Sequence, residues 1–319
     1  MSFALILSRD HDGRRLDRAL RSIWPEVPLS AIMRALRRGE VRVDAVRVRE
    51  PGLRVSEGQS IHVPWEEPGA RPIVSRRGLR VPVLWRGAGA MMVNKPAGLL
   101  VQPDSAGGDS VITRVWGMLQ DEGLEDPFAG GFGPAAAHRL DRNTTGMLAV
   151  ALRGDSLRAL ERLFRERRVG KRYLAIVVGS LPGSGAVDAP LEKDAGSNMV
   201  RVSREGKTAL TRYRRAAGDG ELSLASVELL TGRTHQARVH LAYAGCPVLG
   251  DRKYGDFDVN RLWRSVRRPL LHAFELSFPG GLDGPLAELS GRTFRARLPD
   301  EMRDVALARG WDLSALEGA

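Results

Sequence analysis

Residues 138–150 read HRLDRNTTGMLAV. A single carboxylate, Asp141, lies between Arg139 and Arg142, and Thr144, Thr145 and Gly146 suit a tight turn that feeds the apolar run from Met147 to Leu152. A short uncharged run bounded by turn residues reads as a buried strand. Asp141 is therefore placed in the loop just before a strand, where functional side chains concentrate on a rigid scaffold. A turn aspartate often does no more than bond its own backbone. The two flanking arginines are more than such a turn requires.

Three other stretches carry chemistry-bearing side chains. In VNKPAGLLVQ (93–102), Lys95 precedes a break at Pro96 and Gly98, as a turn lysine or a phosphate contact would. In GKRYLAIVVG (170–179), Tyr173 opens a second buried strand and points into the core or a cleft. In TGRTHQARVH (231–240), Arg233, His235, Gln236, Arg238 and His240 lie between a strand-like run and a helix-like tail, which also suits a basic helix start facing solvent. Zinc is argued against by the absence of a glutamate and of i, i+4 histidine spacing. No Gly-x-Ser-x-Gly elbow, phosphate loop or dinucleotide fingerprint is present. One carboxylate, one tyrosine and one arginine remain. Hydrolysis of a glycosidic bond usually takes two carboxylates, so a lone Asp suits a reaction that breaks such a bond without adding water.

Working outward, the rest of the chain is mixed α and β without strict alternation, which predicts an α+β fold. Residues 11–64 form a small basic unit. Leu16, Leu20 and Ile23 share a helical face, with Arg14, Arg15, Arg18 and Arg21 around it. Ser30 is expected to cap a second helix that buries Ile32 and Leu36, exposes Arg34, Arg37 and Arg38, and ends at Gly39. EVRVDAVRV (40–48) alternates about Asp44-Ala45 as a hairpin does, and GQSIHVP (58–64) adds a strand. Prolines and glycines make 65–78 a linker, and 79–319 the larger domain, in which Gly130, Gly131 and Gly133 belong to a flexible loop.

Of the 319 residues 43% are hydrophobic, enough for a packed core. Lys and Arg number 49 against 38 acidic residues, and the net charge of +11 points to a polyanionic partner, RNA or DNA before membrane. The lone Cys246 excludes an internal disulfide. Phe3 to Leu7 is too short for a signal segment and no apolar run would span a membrane, so a cytoplasmic monomer is expected.

Arg15-Leu16-Asp17, Ser30 and RRGEVRVD (37–44) make the first unit resemble an S4 RNA-binding domain, apart from Ala45 where that family usually turns on glycine. HRLDRNTTG, Tyr173 thirty-two residues after Asp141, TGRTHQARVH and NKPAG resemble the signature set of the RluA-type RNA pseudouridine synthases. MVRVSREGKTALTRY (199–213) and LGDRKYGD (249–256) look most like the RluC branch, which acts on large-subunit ribosomal RNA. Departures are Thr145 where Ser is frequent and Ala237 where Ile or Leu is usual.

The resemblance implies a mixed, largely antiparallel sheet with flanking helices, structured RNA as substrate, and neither metal nor cofactor. Asp141 would be the essential carboxylate. Arg238 would pair with it, since an adjacent guanidinium favours the charged form of a buried carboxyl. Tyr173 would stack on the detached uracil or help remove its C5 proton. Arg139 would fill the stack left by a flipped uridine. Lys95, Arg233, His235 and the unit's Arg15, Arg18, Arg34, Arg37 and Arg38 would hold RNA. Two other functions fit the residues: a non-catalytic RNA-binding or ribosome-assembly factor, and an RNA glycosylase that releases free uracil.

Overall fold

The computed structural model describes residues 3–24, 27–66, 78–104, 108–123, 133–194 and 196–317. The chain opens with β1 (Phe3–Ile6), a 3-10 turn (Arg9–His11), α1 (Leu16–Ile23) and α2 (Leu29–Arg38), followed by β2 (Arg42–Val43), β3 (Val46–Arg47) and β4 (Ser60–Val63). The strands form one small antiparallel sheet in the order β1-β4-β2-β3. Leu16, Ala19 and Leu20 of α1 and Ile32, Ala35 and Leu36 of α2 pack on Val43, Ile61 and Val63 of the sheet. The unit thus begins at Phe3, ahead of the expected residue 11. It extends past residue 64, because Trp24 donates to the Glu66 carbonyl at 2.9 Å and meets the Trp65 ring edge-on. Most of the linker expected over 65–78 lies outside the described residues, as do Gly130 and Gly131.

One local expectation changes. The first helical bonds of α2 run to the carbonyl of Pro28, so Pro28 is the N-cap and Ser30 falls inside the first turn. Gly39 ends the helix in the left-handed region as expected (φ 67°). Asp44 and Ala45 both have positive φ, 49° and 67°, the signature of a type I′ hairpin turn. The Asp44 carboxylate holds the turn by accepting from Ser60 N–H and Gln59 Nε2–H, both at 2.8 Å. Ala45 is left in a conformation that costs an L-residue about 1–2 kcal/mol. Ala45→Gly is accordingly expected to raise the unfolding free energy by about 0.5–1 kcal/mol despite glycine's greater chain entropy. Urea unfolding at constant m-value checks this, and an unchanged or lower midpoint would contradict it.

The larger domain contains β5 (Val83–Arg86), β6 (Ala90–Lys95), α3 (Val111–Asp121), β7 (Ala135–Ala136), β8 (Thr145–Ala151), α4 (Gly154–Arg165), β9 (Gly170–Val178) and β10 (Ser184–Asp188). It continues through β11 (Leu191–Lys193), β12 (Val200–Val202), β13 (Leu210–Gly218), β14 (Leu222–Leu229), α5 (Gln236–Tyr243), α6 (Phe257–Leu262), β15 (Leu271–Ser277), β16 (Thr293–Arg295), α7 (Asp300–Ala308) and α8 (Ser314–Glu317). Its sheet runs β10-β13-β14-β9-β15-β8-β6-β5, with β16 also on β15 and β7 also on β8. Within this sheet, among the described residues, only β15 and β8 pair in parallel. The fold is therefore α+β on a mixed, largely antiparallel sheet.

The central strands are buried on both faces, which is why MLAVAL shows no alternation. Side chains alternate across the sheet. Leu148, Val150, Tyr173, Ala175 and Val227 join the core that holds α3 and α5. Leu174, Ile176 and Phe274 face α7, and Met147 and Ala149 face α4. At the start of β8, Gly146 (φ 110°) lies so close to β15 that a Cβ would fall 2.2 Å from the Ala273 carbonyl oxygen. Only glycine fits both demands.

The two units touch at α4. Gly154 N–H donates to Asp10 Oδ1 and Arg158 Nη1 donates to the Asp10 carbonyl, each at 2.9 Å. No helix among the described residues is long and apolar enough to cross a membrane.

Candidate active site

Asp141 opens the turn predicted for it: Thr144 N–H donates to the Asp141 carbonyl at 3.1 Å. Its backbone closes the turn and its side chain stays available. The loop rests on three supporting groups. Thr145 donates to His272 Nδ1 at 2.8 Å, while His272 Nε2–H donates to the Ala296 carbonyl. His138 Nε2 accepts from Ala149 N–H at 3.1 Å, beside the ring of Phe164.

The third group is Lys95, and it corrects an expectation. Its side chain is fully buried, and its ammonium donates to the carbonyls of Leu99 and Arg142 (2.7 Å) and of Pro96 (2.8 Å). No proton is left for a phosphate. Lys95 is a brace beneath the Asp141 loop. Burial lowers its pKa to about 7, with the charge of Asp141 acting in the opposite sense.

Arg238, on α5, donates from Nη1 to Asp141 Oδ2 at 3.2 Å. The rest of its fork is held in place: Nε and Nη2 donate to the two oxygens of Asp251 at 2.6 and 2.7 Å, a bidentate pair with Asp251 fully buried. The guanidinium also lies 5.0 Å from the Tyr254 ring centre. Burial alone would lower the pKa of Arg238. Hydrogen bonding and charge from Asp251, then Asp141, outweigh it and raise the pKa.

His235 sits before α5 in the left-handed region (φ 53°), a strained conformation of the kind found at functional sites. Its Nε2 is 4.0 Å from Asp141 Oδ2, and its Nδ1 is 2.7 Å from the Tyr254 hydroxyl. Burial lowers its pKa, partly offset by Asp141, which favours the neutral imidazole. Gln236 fixes the approach by accepting from Thr231 Oγ1 and Arg233 N–H and donating to Leu210 O and Thr211 Oγ1.

Tyr173 reaches the site through the sheet. It pairs with Ala273, which pairs with Gly146. Burial, and then the negative charge of Asp141, raise the Tyr173 pKa, so it stands as a neutral phenol. That state suits stacking better than removing the C5 proton.

The structure thus gathers Asp141, Arg238, His235 and Tyr173, with Lys95 behind them. Other basic residues stay outside the cluster. Arg139 is exposed, and Arg233 donates from Nε to the Thr208 carbonyl at 3.0 Å. In the first unit Arg18, Arg34 and Arg37 are exposed, Arg15 pairs with Asp17 at 2.9 Å, and Arg38 lies 3.7 Å from Glu40. Sequence patterns alone do not mark Asp251 and Tyr254 as site residues. Their signal is LGDRKYGD itself, an acid directly after a buried run.

A family model described as RNA pseudouridylate synthase matches residues 90–243, the span from β6 through α5. The ribosomal large subunit pseudouridine synthase C of Pasteurella multocida is 35% identical over 314 residues, covering 94% of this chain and 92% of the relative. The chain belongs to the RNA pseudouridylate synthase family. The Escherichia coli protein of the same description is 34% identical over 85% of this chain and 87% of its own. Among solved structures, human RNA pseudouridylate synthase domain containing 4 is similar with TM-score 0.57 and 27% identity, over 71% of this chain and 92% of that one. Human RNA pseudouridylate synthase domain containing 1 gives 0.50 and 26%, over 76% and 98%. As a member of this family the chain is an RNA pseudouridine synthase, an isomerase.

The imidazoles that support this synthase carry a pH dependence. Burial lowers His11 and His272 to about 4 and His138 to about 3, from an ordinary value near 6.5. Between those limits the unfolded chain binds protons that the folded chain refuses, so stability falls as pH drops through about 6.5 toward 4. Each group contributes at most about 1.4 kcal/mol per pH unit. Thermal unfolding from pH 7.5 to 4.5 should show Tm declining below about pH 6.5; a level profile would contradict the burial of these rings.

Proposed function

We propose that this synthase isomerises uridine in large-subunit ribosomal RNA, with Asp141 as the carboxylate that acts at C1′. The N1–C1′ bond breaks, a C5–C1′ bond forms, C5 loses its proton and N1 gains one. Atoms balance without an external reactant. The observation that carries this reading is the shared fork of Arg238. One nitrogen holds Asp141 Oδ2, two hold Asp251, and Asp141 Oδ1 makes no hydrogen bond among the described residues. One oxygen is thus anchored and the other is open to a ribose.

The same arrangement argues against a hydrolase. Asp251, the second carboxylate on the same guanidinium, is sealed with both oxygens on Arg238, so it is not free to direct water to the sugar. A purely RNA-binding role would not call for a restrained Asp141 beside a neutral Tyr173. The large-subunit substrate is supported by the descriptions of the relatives from P. multocida and E. coli.

The unit at residues 3–66 is proposed to be an S4 RNA-binding domain, in which Arg18, Arg34 and Arg37 hold phosphates without reading sequence. Arg139, exposed two residues before Asp141, is the side chain proposed to take the place of the extruded base. The synthase would act as a cytoplasmic monomer on structured RNA. Pseudouridine mapping across cellular RNA, with and without this chain, tests the whole reading. Loss of marks in large-subunit RNA is expected. Unchanged marks there, or free uracil released from RNA by the purified protein, would overturn it.

A further inference from the structure

The segment from Gly250 to Arg268 meets the Asp141 site at both ends, through Arg238 at its start and through the Asn143 carbonyl at its end. At its start Asp251 holds Arg238, and Asn260 folds back to accept Gly250 N–H at 2.7 Å and to donate to the Asp251 carbonyl at 3.2 Å. At its end Arg268 Nη1 reaches the carbonyl of Asn143 at 3.5 Å. Between these anchors stands α6, capped by Asp256, whose carboxylate accepts from Asp258 and Val259 N–H. The helix therefore lies within a segment whose two ends meet residues of the Asp141 site.

At about 100° per residue, Val259, Asn260 and Trp263 fall on one side of α6. Val259 and Trp263 pack against the core that contains α7, and Asn260 makes the bonds just described. Phe257, Arg261, Asp258 and Leu262 occupy the opposite arc. Phe257 is 66% exposed and Leu262 83% exposed, so neither serves the core. Exposed cations surround them. Arg252, Arg264 and Arg267 form no ion pair among the described residues, and Arg261 meets Asp258 only at 3.8 Å with both side chains in solvent.

An apolar contact for another protein would not require so many uncommitted cations. RNA meets both features, since phosphates take the arginines and every base offers a face to an aromatic ring. Extruding a uridine also leaves its neighbours without a stacking partner on one side. We propose that α6 is a platform for the unpaired nucleotides that flank the uridine entering the Asp141 pocket, with Phe257 stacking on a base and Arg264 and Arg267 holding phosphates. This rests on the reading of the chain as an RNA-modifying synthase.

The test uses the full chain and a large-subunit RNA fragment that the wild type converts to pseudouridine. Phe257→Ala should raise KM about ten-fold, Phe257→Trp should keep it near wild type, and Phe257→Leu should behave like the alanine variant. The Arg264→Ala/Arg267→Ala double variant should flatten the slope of log affinity against log salt by about 1.4, at about 0.7 per phosphate contact on single strands. Thermal unfolding should be unchanged in all of them, because the substituted side chains lie outside the core. An unaltered KM in Phe257→Ala, or full function in Phe257→Leu, would overturn the proposal. So would unaltered RNA affinity combined with loss of binding to ribosomal particles, which would assign the patch to a protein. Failure of the wild type on every RNA would instead remove the underlying reading, and the two failures are therefore distinct.

Discussion

Asp141→Asn is expected to lower kcat/KM for pseudouridine formation by about 10⁴-fold or more, the scale on which loss of a reacting group registers. RNA affinity and Tm should change little, because Asp141 is only partly buried and contributes a single contact to Arg238. The amide keeps the shape and can still accept from Arg238 Nη1, but it cannot bear the negative charge needed opposite a developing cation at C1′. Single-turnover release of tritium from C5-labelled RNA, alongside a direct binding measurement, separates these effects. Turnover within about ten-fold of wild type would remove Asp141 from the chemistry.

Asp251→Asn should produce the next largest effect, although Asp251 touches no reacting atom. The new amide turns an N–H toward a guanidinium that has only N–H groups to offer, so a fully buried bidentate pair becomes a clash of donors. Breaking a buried pair by removing one charge costs about 3–5 kcal/mol. Arg238 would also lose the direction of its fork and, with it, the placement of Asp141. We expect kcat per folded molecule to fall about 100-fold, consistent with losing roughly 3 kcal/mol of positioning, while KM moves much less. Measuring kcat well below the variant's Tm tests this, because a merely structural aspartate would leave kcat intact there. Arg238→Lys should fail in the same way, since an ammonium cannot span two carboxylates in a fixed plane.

Much of this site could be read from local patterns because its parts sit where the pattern changes. Asp141 stands where turn residues give way to an unbroken apolar run, and Arg238 lies in a basic stretch at the junction of a strand-like run and a helix-like tail. Lys95 could not be read in the same way. A lysine beside a turn suggests solvent, and only the convergence of two carbonyls of its own turn with that of Arg142, 47 residues on, reveals a buried brace. Asp251 looks like one more turn acid until α5 carries Arg238 across to it. β1 was likewise hidden, because its partner β4 begins more than fifty residues later and only that pairing makes Phe3–Ile6 a strand. In the hairpin, alanine is a poor choice for positive φ at position 45, yet the bonds from Ser60 and Gln59 to Asp44 hold the two-residue form. At α2, the carbonyl of Pro28 took the first helical bonds ahead of the more obvious Ser30. In each case a contact distant along the chain outweighed the local preference.

The contact between Gly146 and Ala273 has a practical meaning for anyone wishing to redirect such an enzyme. From Lys95 through Gly146 and Ala273 to Tyr173, the spacing across the pocket is fixed by main-chain pairing rather than by how side chains fill the interior. Altering apolar residues in those strands would trade away robustness without shifting the reacting groups. New target preferences are better sought in the outer loops and α6, where variation leaves the ruler beneath the chemistry untouched.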